Sequence, residues 1–131
     1  MLVTPAKAGV QSQGENMNEL EGLREALREF ADARDWNQFH SPKNLAMALA
    51  AESGELLEIF QWLTEGQSRT LDPKAQARAT EEIADILLYL VRLGDQLGID
   101  PVAAAQHKLV ENGRKYPVEK ARGNATKYTE L

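Results

Sequence analysis

Cysteine is absent from all 131 residues, which rules out a disulfide framework and any thiolate metal site. No apolar run approaches the ~20 residues needed to span a bilayer, and Met1 to Val10 lacks a signal-peptide core, so a cytoplasmic protein is expected. Neither a G-x-x-x-x-G-K-[S/T] loop nor a G-x-G-x-x-G turn occurs. Phosphate groups, if the chain binds them, must therefore be held by metal and side chains rather than by glycine-rich backbone. Sustained period-two alternation is also missing, and with it the case for a sheet. Histidine is scarce, with His40 and His107 only, and neither follows a glutamate by three residues. That excludes the paired Glu-x-x-His motifs of a di-iron bundle and leaves His107 as a surface helix residue.

The residues that are present build helices. A hydrophobic share of 43% suffices for a core, and the length fits one domain. The formal net charge of −5 argues against indiscriminate binding to a nucleic-acid polymer. Ser41-Pro42, Asp72-Pro73 and Asp100-Pro101 each set a capping side chain before a proline suited to a first helical turn. Asn18 with Glu21 resembles a capping box, and Gly66 and Gly98 offer stops. Helices are expected near 18–34, 42–64, 73–97 and 101–112. The corresponding organisation is a flexible leader over 1–17, a helical domain over 18–113, and a basic tail over 114–131 packing on that domain. The fold class is all-α, a four-helix bundle whose core is completed by a second copy, since four short helices cannot cover these apolar stripes.

Two carboxylate pairs stand out. Glu52 with Glu55, and Glu82 with Asp85, are each three residues apart, so the members of a pair share one side of a helix. The stripe of Leu45, Leu49, Leu56, Ile59 and Leu63 contains Glu52 within it. A core-facing carboxylate must hold a proton, meet a cation or carry a penalty of several kcal/mol. Oxygen-only ligands suit magnesium, with manganese as the alternative. The ordinary explanation for Glu52 is a protonated or salt-bridged core acid. For Glu82 and Asp85 it is a solvated edge favoured by the helix dipole, beside an apolar face of Ile83, Ile86, Leu87, Leu90 and Leu97.

Further groups have two readings each. Trp36 to His40 either lines a pocket or anchors a loop through Trp36 and Phe39 in the core. Trp62 either stacks on a flat ligand or fills a helix or subunit contact. Lys108 and Asn112, followed by Arg114 and Lys115, form a phosphate clamp or simply suit a helix C-terminus.

Asp35-Trp36-Asn37-Gln38-Phe39-His40, Asn44-Leu45, Glu52-Ser53-Gly54-Glu55-Leu56, Phe60-Gln61-Trp62 and Glu81-Glu82-Ile83-Ala84-Asp85 resemble the MazG-like all-α nucleotide pyrophosphohydrolases, with the dCTP pyrophosphatases as the nearest branch. The likeness continues through Lys108, Asn112, Arg114-Lys115-Tyr116-Pro117 and Lys127-Tyr128-Thr129-Glu130-Leu131 and covers roughly residues 20–131.

The resemblance implies hydrolysis of a nucleoside triphosphate, dCTP or 5-modified dCTP, to the monophosphate and pyrophosphate. It implies magnesium on Glu52, Glu55, Glu82 and Asp85, with Glu55 orienting or deprotonating water. It also implies Trp36, His40, Trp62 and Tyr89 around the nucleoside, Lys108 and Asn112 near the phosphates, and a homodimer or homotetramer. The dCTP-preferring members carry a histidine where this chain has Leu27. The alternative is a non-catalytic helical module that binds a nucleotide or a protein.

Overall fold

The computed structural model describes residues 18–131; the expected leader lies outside them. The described residues are all-α, with helices α1 (Glu19–Ala33), α2 (Pro42–Phe60), α3 (Glu65–Ser68), α4 (Pro73–Leu97), α5 (Pro101–Lys115) and α6 (Val118–Ala121). Single 3-10 turns lie at Asn37–Phe39 and Tyr128–Glu130. No described helix is long and apolar enough to cross a membrane. The chain divides after Gly98 into two compact units.

Local chemistry explains the helix starts. Ser41, Asp72 and Asp100 accept hydrogen bonds from backbone amides of their first turns, with proline at the first helical position in each case. Asn18 accepts from the Glu21 amide and donates its side-chain amide to the Glu21 carboxylate. Gly98 ends α4 at φ 68, a left-handed conformation that glycine adopts without a Cβ clash.

The second helix stops at Phe60 rather than near residue 64. Thr64 and Gln67 explain why: the Thr64 hydroxyl accepts from the Gln67 amide while the Gln67 side chain accepts from the Thr64 amide. This reciprocal cap starts α3 afresh. Gly66 consequently lies inside α3 and stops nothing.

In the first unit α2 packs chiefly on α4, with α1 adding a smaller contact to α4. The inward row of α2 is Leu45, Leu49, Glu52, Leu56 and Ile59, as its sequence stripe predicts, while Leu63, the last of that stripe, lies beyond the helix and is exposed. The α4 face differs from expectation. Its inward row is Ala75, Ala79, Glu82, Ile86, Tyr89 and Leu93, whereas Ile83 and Leu90 are 57% and 43% exposed. Buried Ala79 and Gly94 are small enough for close helix approach, and Val91, not Ile83 or Leu90, is the large apolar residue buried beside them. Glu82 thereby becomes an inward residue like Glu52.

In the second unit the tail folds against the end of α5. Tyr128 meets the Tyr116 ring edge-on at 5.9 Å, and the Lys115 ammonium lies 4.9 Å from the Tyr128 ring centre.

Candidate metal centre and nucleotide pocket

Glu52 from α2 and Glu82 and Asp85 from α4 each present a carboxylate oxygen, and these oxygens all lie within 4.8 Å of one another. Three acidic oxygens at that spacing repel unless a proton or a cation lies between them. One oxygen each of Glu52 and Glu82 is buried without a hydrogen-bond donor. A buried carboxylate oxygen without a partner is costly, and here two neighbouring acids each carry one. A hard divalent cation fits both facts, because it satisfies the orphaned oxygens and cancels their repulsion. The solvated-edge explanation therefore fails for Glu82.

Glu52 shows the electrostatic tension directly. Its carboxyl is pushed up to about 8, first by hydrogen bonding with Glu82, then with Glu55, then by burial and the neighbouring charges. At neutral pH the metal-free cluster thus retains a proton. Glu55 is next to Glu52 but exposed, and it stands outside the trio of oxygens within 4.8 Å. Tyr89 adjoins the cluster: burial, then the charges of Glu52 and Asp85, hold its phenol above the usual value. It stays a neutral donor across the physiological range.

The segment bearing Trp36 and His40 is locked by backbone and side chains together. Asp35 takes a left-handed φ of 53, the Trp36 amide reaches Ala31 O at 2.9 Å, and the Asp35 amide reaches Asp32 O at 3.2 Å. This is the paired closure that ends a helix through one left-handed residue. Trp36 then packs edge-on to Phe30 at 5.5 Å and to His40 at 6.2 Å. Core anchoring through both aromatics does not describe this segment, because Phe39 is 59% exposed and Trp36 only partly covered. Trp62 follows α2 and is 87% exposed, so it fills no helix contact among the described residues.

His107 is exposed on α5, as expected. Lys108 and Asn112 also lie on α5, in the second unit. Lys108 and Lys115 flank Glu111 at 3.6 and 3.3 Å, and Lys115 with Lys108 holds the Glu111 carboxyl below the usual range.

Sequence reasoning missed the polar network behind this segment. Arg92 is buried on α4 and reaches His40, Asn37 and Asp95, while Asp95 is also held by Arg28 of α1. Arg28 and Arg92 keep the Asp95 carboxyl below the ordinary value. The available signal was an arginine inside the apolar run Leu87 to Leu93, three residues from both Tyr89 and Asp95.

A sequence model of the MazG-like family matches residues 47–131. Human dCTP pyrophosphatase 1 is 45% identical over 114 residues, covering 86% of this chain and 67% of the relative. The mouse protein of the same name is 46% identical with the same coverage. Among solved structures, a pyrophosphatase from Archaeoglobus fulgidus superimposes with a TM-score of 0.71 at 42% identity, covering 76% of this chain and 94% of that one.

Proposed function

The chain belongs to the MazG-like family, and from that premise we propose that it is a nucleoside triphosphate pyrophosphohydrolase converting dCTP, or 5-modified dCTP, and water into the monophosphate and pyrophosphate. The observation that carries this reading is the acidic trio of Glu52, Glu82 and Asp85, with carboxylate oxygens within 4.8 Å of one another and one buried, unpartnered oxygen on each of Glu52 and Glu82. Packing has retained an arrangement there that only a proton or a cation relieves. The substrate is the one for which these relatives are named.

Magnesium is the proposed ion, with manganese as the alternative, held by Glu52, Glu82 and Asp85 with Glu55 at the margin. When bound it neutralises phosphate charge and makes water more acidic. Glu55, exposed beside Glu52, is the residue proposed to orient the attacking water and take its proton. Tyr89, kept neutral next to the carboxylates, can donate a hydrogen bond without adding charge. Trp36, His40 and Trp62 with Tyr89 are the residues proposed to enclose the nucleoside, and Lys108 and Asn112 to meet the phosphates. A cytoplasmic role in nucleotide-pool control follows from this reading.

Substrate choice is tested by a competition panel of the eight standard nucleotides plus 5-methyl-dCTP, with products separated chromatographically. We expect dCTP and its 5-substituted form to lead, with measurable turnover of dUTP or dTTP. Leu27, apolar on α1, offers no hydrogen bond to a base, and apolar enclosure separates similar bases by only ~1–3 kcal/mol. Preference for a purine nucleotide or for ribose would overturn the substrate assignment. Tight, metal-independent nucleotide binding without product would favour a non-catalytic module instead.

Assembly is a separate expectation. Met47 and Leu57 on α2, Ile83, Leu90 and Leu97 on α4, and Trp62 are all exposed in the single chain. Large apolar side chains exposed in this number are often covered by another subunit. A homodimer, or a tetramer built as two dimers, should therefore form through α2 and α4. Sedimentation at micromolar concentration should give at least twice the 14.5 kDa chain mass; a monomer would refute the assembly.

A further inference from the structure

Arg92 is 4% exposed and divides its guanidinium among three acceptors. Its Nε–H donates to His40 Nδ1 at 3.1 Å, one terminal nitrogen donates to Asn37 Oδ1, and the other reaches Asp95 Oδ2 at 3.4 Å. The network is tied down on both sides. Arg28 Nε donates to Asp95 Oδ2 at 2.8 Å, and the Asn37 amide donates to Asp32 Oδ1 at 2.6 Å. Asp95 thus fixes the guanidinium from α4, and Asn37 fixes it from the turn that leads into His40.

A guanidinium has donors only, so a ring nitrogen that receives its hydrogen bond carries no proton. In the neutral imidazole the single proton is then on Nε2. Protonating Nδ1 would break this bond and set an imidazolium against the guanidinium. Burial, then the Arg92 charge, already hold His40 below its ordinary pKa. The ring is left with one donor, Nε2–H.

We propose that Arg92 is a positioning residue that fixes the tautomer of His40, and that the resulting Nε2–H reads an acceptor on the pyrimidine edge of the substrate. The inference rests on His40 belonging to the nucleoside pocket. It deepens that reading by giving the pocket a means of choosing cytosine. The cytosine edge offers two adjacent acceptors, O2 and N3, whereas uracil and thymine carry N3–H at the second position. A fixed donor directed there pairs with cytosine and meets another donor in uracil. A ring free to exchange tautomers would pair with either base. Discrimination through a committed hydrogen-bonding group is stronger than through apolar enclosure, because the wrong base leaves a polar group unpaired.

The tautomer can be read without any variant. Long-range proton–nitrogen correlation on the 15N-labelled, nucleotide-free protein shows two histidine rings, and His107→Gln assigns them. The expected result is an unprotonated Nδ1 and a protonated Nε2 on His40; a protonated Nδ1 would overturn the proposal. Arg92→Lys, which keeps the charge beside Asp95 but cannot hold three partners in one plane, should give mixed tautomers. Its ratio of kcat/KM for dCTP over dUTP should fall by about tenfold or more, carried by a higher KM for dCTP with kcat changed much less. An unchanged ratio in a variant whose tautomer has shifted would also overturn the proposal. Because the tautomer is recorded without substrate, its failure is distinct from failure of the hydrolytic reading, which would appear as no pyrophosphate release by the unaltered protein.

Discussion

Glu52→Gln and Asp85→Asn should each lower kcat/KM for dCTP by about 10²-fold or more, comparable to losing a group that stabilises charge in a transition state. Each replaces a charged ligand oxygen with a neutral amide in a trio whose oxygens lie within 4.8 Å. The same Glu52→Gln change should leave the metal-free protein as stable as before, or more stable, at and above neutral pH. It removes the carboxyl that the cluster pushes up to about 8, and with it part of the repulsion among the clustered acids. Lost activity with retained or raised melting temperature separates a site kept for chemistry from a structural ion pair, whose loss would destabilise the fold. Steady-state kinetics and thermal melts on the same preparations provide the check. Undiminished turnover in either variant would remove the metal mechanism.

The second large effect is a linkage between protons and divalent cations. Glu52 titrates near 4.5 in an unfolded chain and at about 8 in the folded, metal-free cluster. Between these values the folded protein holds a proton that the unfolded chain has released. Stability of the metal-free form should therefore fall as pH rises from about 4.5 to about 8 and level off beyond. A cation competes with that proton, so its affinity should rise by up to about tenfold per pH unit below pH 8 and flatten above it. Calorimetry in buffers of different ionisation enthalpy should find close to one proton released per cation at pH 7, and almost none at pH 9. The thermal shift caused by magnesium should be larger at pH 8.5 than at pH 6. Affinity independent of pH would show that the Glu52–Glu82 proton and the cation do not share a place.

Features encoded within one helical turn were legible in the sequence. Ser41-Pro42, Asp72-Pro73, Asp100-Pro101 and Gly98 act through their own backbone neighbours, and all four boundaries stand where residue chemistry puts them. Glu52 within the α2 stripe was legible for the same reason, since helical periodicity alone turns it inward. The Thr64–Gln67 cap was equally local, and overlooking it lengthened α2 past Phe60. The inward face of α4 was harder, because close packing selects Ala79 and Gly94 by their smallness while counting bulky residues selects Ile83, Leu90 and Leu97. Those three face away from the core of the single chain, on the surface proposed to meet a second copy.

Arg92 depends on information no local pattern contains. Its partners His40 and Asn37 are 52 and 55 residues away in sequence, so only the packed fold brings them together. The buried guanidinium and the turn it holds are products of tertiary structure. Pairs of acids at helical spacing announce a candidate site; a buried arginine with distant partners announces none of them in one dimension.

The central claim is that water attacks the α-phosphorus of the nucleotide at the carboxylate cluster. It is tested most directly by running dCTP hydrolysis with magnesium in 18O-enriched water and weighing both products. The account predicts dCMP carrying one 18O atom on its phosphate, with unlabelled pyrophosphate. Label in pyrophosphate, or release of orthophosphate with dCDP, would contradict it.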